Sequence, residues 1–402
     1  MLTERQGPLV GLTVLELGHY IAAPFAGRLL ADMGATVIKI EPPGGDPFRG
    51  WGDQVAGNSV WFSIHGRNKM SVTLDLKQSG GRDAVLKLAA TADALLENFR
   101  PGQLEKLGLG PAELHAANPK LTIARISGYG QDGPYRDKPA FGAIGEAMGG
   151  IRHLTGHPRG QSDLPPPRCG ISIGDDLAGM YAAMGVLAAC WGRDAKGRPG
   201  RVLDISLTES MVSLMEGMLP EFALFGRVRQ PAGAAIPTAA PTNTYPTADG
   251  GWIVIAGNSD PIFARLSRLI GEPGWPTDPR FANNGARCAN VAVLDAAIGA
   301  WTRARSAEAA EAALEAAEVP ACRLYTIADI ARDPHYRARG AVLAVDDPLT
   351  GATLHPGPVP RFDGAAPETV VAWPGPSVGA HNHAVLGGML GLDAATIREI
   401  SQ

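Results

Sequence analysis

The sequence predicts an α/β protein, with a large domain built on a parallel sheet and a smaller α+β domain after it. Three observations carry this. Strand and helix patterns alternate from residue 9 to residue 127. A stretch rich in turn residues, 226–245, interrupts the chain. Beyond it, residues 252–317 carry one strand pattern and three helical ones.

Leu9 to Leu17 is an almost continuous apolar run, as a strand buried on both faces would be. A helical stretch follows from Pro24 to Met33. Pro24 suits a first turn, and Gly34 suits the stop. Thr36 to Ile40 is rich in β-branched residues and reads as a second strand. A strand, a helix and a strand in that order form a βαβ unit, which requires parallel strands and a right-handed crossover. The pattern continues with a strand at 71–76, a helix at 81–91 and strands at 94–97 and 121–127. The large domain is therefore expected to be Rossmann-like. Residues 156–170 read as an exposed loop, 175–191 as a long helix and 192–200 as a turn. A strand at 201–206 and a helix opening at Thr208 follow. With 402 residues the chain exceeds one small core. The expected division is a large domain over 1–225, a small domain with its linker over 226–330, and a return segment over 331–402 that completes the large domain.

Composition narrows the function. Lys and Arg number 36 against 40 Asp and Glu, for a net charge of -4. No basic excess exists to hold a nucleic-acid backbone. Cys169, Cys190, Cys288 and Cys322 form no CxxC pattern and read as reduced thiols, so no metal site is expected. The N-terminus has no signal-type apolar segment, and no run of about 18 apolar residues occurs, so the expectation is a cytoplasmic protein with no membrane partner. The turn after the first strand, Gly18 to Ala23, lacks the glycines of a dinucleotide fingerprint, which argues against a nicotinamide dehydrogenase.

Four segments carry candidate chemistry. Gly170 to Leu177 (GISIGDDL) brings two acids to a helix start. An aspartate there serves equally to cap the helix or to act as a carboxylate beside oxyanion-binding N–H groups. Glu97 to Gly102 (ENFRPG) directly follows a strand, where open α/β sheets bind ligands. Gly66-Arg67-Asn68-Lys69 places two cations before a strand. Gly128 to Tyr135 (GYGQDGPY) is a glycine-rich loop after another. Taken singly, each also reads as an ordinary cap, turn or solvated loop.

Together, and in this order, they resemble the class III CoA-transferases, the family of formyl-CoA transferase and carnitine CoA-transferase. The resemblance spans nearly the whole chain. It rests on Gly11–Pro24 (GLTVLELGHYIAAP), Met33–Glu41 (MGATVIKIE), Asn68–Lys77 (NKMSVTLDLK), Glu97–Gly102 with Lys106–Gly108, and Gly130–Tyr135. It also rests on Gly174-Asp175 following Ala147–Gly150 (AMGG). The resemblance implies that Asp175 is the nucleophile and that His19, Tyr20, Ala22, Leu74, Asn98, Phe99, Lys106 and Lys138 line the CoA site. It further implies a homodimer of two chains threaded as interlocked rings. Coenzyme A or an acyl-CoA is then a substrate, and no prosthetic group is needed.

The chemistry accounts for a single acid. The carboxylate attacks a thioester carbonyl, forms a mixed anhydride and releases CoA thiolate. The thiolate then attacks the aspartyl carbonyl to give an aspartyl thioester, and the acceptor acid repeats the sequence in reverse. Anhydrides hydrolyse, so water must be kept out.

The same fold carries α-methylacyl-CoA racemases, which need His-Asp where this chain has Phe141-Gly142. Ile21 replaces a polar amide of formyl-CoA transferase, and the loop at 235–244 is not that enzyme's glycine loop; both disfavour formate and oxalate. The run from Phe141 to Gly156 looks like the branch acting on succinyl-CoA with malate, citramalate or mesaconate. A C4–C5 dicarboxylate acceptor of this kind, itaconate included, is therefore expected. Ile21, Phe141, Arg152 and His153 are candidate substrate residues, with Arg152 or His153 meeting the remote carboxylate. Intramolecular CoA transfer and a noncatalytic acyl-CoA-binding protein are the rival readings.

Overall fold

The computed structural model describes residues 6–363, 366 and 369–402. Its contacts divide the chain into two units, one of residues 6–152, 169–227 and the described part of 331–402, the other of 153–168 and 228–330.

The first unit is built on six parallel strands, β1 (Thr13–Glu16), β2 (Thr36–Glu41), β3 (Lys69–Thr73), β4 (Ala94–Glu97), β5 (Thr122–Ser127) and β6 (Val202–Ser206). They pair in the order β3-β2-β1-β4-β5-β6. This is the doubly wound arrangement, in which the strand order reverses between β1 and β4 and opens a crevice at their C-terminal ends. Sequence reading placed all six strands, with ends off by a few residues. The long apolar run at 9–17 begins as a turn and becomes strand only at Thr13.

Both faces of the sheet are covered. Leu15, Ile38, Val72, Leu95 and Ile123 pack on one side with Val85, Leu88, Val385 and Leu386. Val14, Val37, Leu96 and Ala124 pack on the other with Leu30, Ala178, Ala182 and Val186. The latter four come from the helices Ala22–Asp32 and Ile173–Lys196. These two helices approach closely because the contact is made of small residues; a Cβ on Gly179 would stand 2.6 Å from the Ala22 carbonyl oxygen.

The Ile173–Lys196 helix is longer than its sequence pattern suggested. Gly192 does not stop it, and the αL residue Gly197 (φ 62°) does, with its N–H bonded to the Arg193 carbonyl. By length and composition this helix is apolar enough to cross a membrane. Here one face lies on the Ala22–Asp32 helix, and Met180, Met184 and Trp191 on the other are exposed.

The edge strand β3 is sealed by distant chain. Ser71 N donates to His381 Nδ1 (3.1 Å), His381 N to Ser71 O (2.9 Å) and Thr73 N to Asn382 Oδ1 (2.8 Å). Trp373 Nε1 donates to Lys69 O (2.8 Å). These bonds satisfy edge groups that would otherwise offer pairing to another chain.

The second unit has an antiparallel sheet of β7 (Thr242–Pro246), β8 (Trp252–Ala256) and β9 (Ala321–Arg323), with β8 central. Helices Asp260–Leu269, Val291–Arg303 and Ala307–Ala316 bury Phe263, Leu266, Leu294, Ile298 and Leu314 against Ile253 and Ile255. Residues 226–245 are thus not only linker, because β7 starts at Thr242.

Candidate active site

At the β1/β4 crevice a cavity of about 170 Å³ is lined by His19, Tyr20, Ala22, Asn98, Phe99, Lys138, Phe141 and Asp175. Arg100, Arg136, Ser127 and Gly128 complete much of its wall. Eight of the residues singled out in the sequence thus meet in one place, drawn from four separate segments of the chain.

The strand ends explain the convergence. The chain leaves β1 at Leu17 and turns through Gly18, His19 and Tyr20 before the first helix. It leaves β4 at Glu97 and passes directly to Asn98 and Phe99. Asn98 joins the two turns. His19 N donates to Asn98 Oδ1 and Asn98 Nδ2 donates to His19 O, each at 2.8 Å. The His19 and Phe99 rings then stand 5.5 Å apart, tilted by 57°. Tyr20 adopts a left-handed backbone (φ 62°), uncommon for a residue with a side chain. Its ring meets Phe141 edge-on at 6.4 Å.

Asp175 is half-buried and is the third residue of the Ile173–Lys196 helix. It lies in the first turn, where the macrodipole favours a carboxylate, and not at the capping position, which Ser172 occupies. Gly142 lies against it, so closely that a Cβ there would collide with Asp175 Oδ2. The neighbouring Asp176 carboxyl is pushed up to about 6 by burial, with the Arg28 guanidinium opposing.

Electrostatics behind the wall are strong. Glu97 is fully buried, accepts from Phe99 N (2.7 Å) and pairs with Arg125 Nε (2.7 Å). Arg125 also holds Glu105 (2.7 Å), at the helix that ends in Lys106. Burial pushes the Glu97 carboxyl up to about 7, against the pull of Arg125. Burial, and then the Lys39 ammonium, push the His19 imidazole below its ordinary value. The cavity mouth is cationic. Arg100, Arg136 and Lys138 line it, and Lys138 Nζ stands 3.6 Å from the Tyr135 ring centroid.

Other singled-out residues lie outside this wall. Leu74 is 1% exposed in the sheet core, and Ile21 packs with Phe48 and Phe62. Lys106 is exposed on its short helix. Arg152 pairs with the buried Glu146 (3.0 Å). His153 belongs to the second unit, where its Nε2 faces Arg229 O (3.2 Å) and it lines another cavity of about 340 Å³. Sequence reasoning missed Arg136, and named Gly142 only as a departure from the racemase pattern, without its approach to Asp175. A cation two residues before Lys138 in a loop after β5 was a usable signal for the first; nothing local marks the second.

The family model for CoA-transferase family III matches residues 9–382. The chain is 48% identical over 387 residues to succinyl-CoA:D-citramalate CoA-transferase of Chloroflexus aurantiacus, covering 96% of this chain and 94% of that protein. It is 33% identical over 401 residues to the alpha subunit of succinyl-CoA:L-malate CoA-transferase of the same organism, covering 99% and 92%. The crystal structure of a CaiB/BaiF family protein from Brucella suis superposes with a TM-score of 0.83 at 33% identity, covering 96% of this chain and all of that one. A match over nearly the full length in sequence and in fold leaves one assignment: the chain is an enzyme of CoA-transferase family III.

Proposed function

We propose that the enzyme moves CoA from succinyl-CoA to a C4–C5 dicarboxylate of the citramalate, malate, mesaconate or itaconate kind, with Asp175 as covalent nucleophile. The observation that carries this is the position of the Asp175 carboxylate, in the first turn of a long helix and on the wall of the cavity that His19, Asn98 and Phe99 share. The names of the two relatives, both acting from succinyl-CoA on a hydroxy dicarboxylate, support the substrate class.

In this reading Asp175 attacks the thioester carbonyl of succinyl-CoA. A carbon–oxygen bond forms, the carbon–sulfur bond breaks, and CoA thiolate leaves with the electron pair. The thiolate attacks the aspartyl carbonyl and expels succinate, which leaves an aspartyl-CoA thioester. The acceptor carboxylate attacks that thioester and releases the thiolate again. The thiolate finally attacks the acceptor carbonyl, giving the new CoA ester and regenerating Asp175. Each attack creates an oxyanion, for which N–H groups at the helix start are suited donors. Arg100, Arg136 and Lys138 are suited to the phosphates of CoA, with Lys106 beyond the cavity wall as a further cation. Leu74 and Ile21 would act from behind, by packing under the turns that carry the contacts. Arg152, with His153 as the alternative, is the proposed cation for the acceptor's far carboxylate.

The racemase reading is disfavoured by Phe141, which stands where two-base proton transfer needs an imidazole. Assembly as an interlocked homodimer is part of the proposal. It is supported by the Met218–Phe225 helix, where Leu219, Phe222, Leu224 and Phe225 are all exposed in the single chain.

The test is to incubate labelled acids with succinyl-CoA and follow label into the CoA ester. Asp175→Ala should abolish transfer, and hydroxylamine should trap an acylated Asp175 in the wild type. Transfer by Asp175→Ala at the wild-type rate would overturn the reading.

A further inference from the structure

The turn at His19 and Tyr20 is held by a buried charge cluster that does not itself line the cavity. Lys39 Nζ donates to Gly18 O (3.0 Å) and to Glu16 Oε1 (2.9 Å), and pairs with Asp46 Oδ2 at 2.6 Å. The other oxygen, Asp46 Oδ1, accepts from Tyr20 N (3.2 Å) and from Phe48 N (2.9 Å). One carboxylate therefore reaches the residue before His19, through Lys39, and the residue after it directly. His19 Nδ1 lies 3.9 Å from Asp46 Oδ2, too far for a hydrogen bond.

The cluster is closed to water. Lys39 is 1% exposed, Asp46 2% and Glu16 0%. It is also fixed from behind. Asp46 N donates to Glu41 Oε2 (2.8 Å), and Glu41 holds the Arg49 guanidinium through both oxygens, each at 2.7 Å. Buried charges on this scale bring little stability compared with an apolar core of the same shape. They are well suited to fixing geometry. The geometry here needs fixing, because Tyr20 sits at φ 62°, a conformation that persists in such a residue only when its surroundings hold it.

We propose that Asp46 is a positioning residue for the reaction. Acting with Lys39, it sets the His19–Tyr20 turn, so that both side chains face the cavity that holds Asp175. The inference rests on the reading of that cavity as the reaction site. Asp46 touches neither substrate nor nucleophile and acts only through the turn.

The test is a double-mutant cycle on transferase kinetics, with amide hydrogen exchange as a second readout. Asp46→Ala should lower kcat/KM by roughly 10-fold or more, since small misplacements at a reacting centre are costly in rate. It should also speed exchange of the Tyr20 amide. Asp46→Asn keeps an acceptor for Tyr20 N while losing the charge opposite Lys39. It should lose less activity, and it serves if the alanine variant does not fold. In a His19→Ala, Tyr20→Ala background, Asp46→Ala should cost less than about 2-fold, the limit expected once the coupled groups are gone. An equal fold-loss in both backgrounds, or unchanged exchange at Tyr20, would overturn the inference and make Asp46 a structural residue only. Undiminished transfer by Asp175→Ala would instead overturn the site reading, so the two failures are distinct.

Discussion

Asn98 grips the backbone of His19 from both sides, accepting from its N–H and donating to its carbonyl at 2.8 Å each. One side-chain amide thus ties the end of β4 to the end of β1 across the point where the strand order reverses. No other neutral side chain of similar size offers both a donor and an acceptor in this geometry. Asn98→Ala leaves two backbone groups without that partner. It should cost about 1–3 kcal/mol of stability, read by urea unfolding, and lower kcat/KM. Asn98→Asp keeps the acceptor and sets a carboxylate against the His19 carbonyl, so it should be no milder.

Gly142 supplies a second test of close approach. Alanine there forces the Asp175 carboxylate to move, because the added methyl meets Oδ2. Gly142→Ala should lower kcat by roughly 100-fold, the scale on which a displacement of about 1 Å acts at a reacting centre. The melting temperature should change little by comparison. Steady-state kinetics and thermal unfolding on the same preparation check both.

The cationic mouth should act mainly on binding. Removing Arg136 or Lys138 takes away a charge that lines the cavity. Arg136→Ala and Lys138→Ala are expected to raise KM for succinyl-CoA several-fold with kcat nearly kept, and the effect should shrink as salt rises. A fall in kcat at constant KM would contradict this.

Stability should fall on acidification below neutrality. His355 is 2% exposed and its Nε2 lies 3.0 Å from Ser63 Oγ, which also bonds Asp347. Burial, and then the Arg67 guanidinium, push its imidazole down to about 4. The folded value lies below the unfolded one of 6.5, so the neutral form is the one folding favours. Its contribution is complete above 6.5 and is lost as pH falls through 4, amounting to as much as about 3 kcal/mol. Urea unfolding at pH 7 and pH 5 should show the loss, and His355→Gln should flatten it. His65, half-buried and pushed down by desolvation, adds to the same slope.

Much of this was legible in the sequence, for reasons that differ by residue. The strands showed because buried parallel strands are continuous apolar runs, as at Val14 and Leu15 or Ile38 and Ile40. Asn98 and Phe99 showed because they directly follow such a run. Lys39 and Asp46 were silent, since a lysine within a strand and an aspartate in a Gly-Pro-rich turn look like surface until the turn folds over them. Arg152 or His153 was read as the cation for the far carboxylate, and nothing local showed that Arg152 pairs with the buried Glu146 or that the boundary between the two units falls after it. Side-chain direction and tertiary neighbours, which no local pattern encodes, decide such cases.

The seal on β3 has a consequence during synthesis. Ser71 and the histidine that closes over it are 310 residues apart. At about 5–20 residues per second, the ribosome needs on the order of 15–60 s to make that span. For this interval the nascent sheet carries an open flank. The newborn chain should therefore lean on holdase chaperones until its last segment emerges, and translation arrest before residue 373 should leave a species prone to clumping.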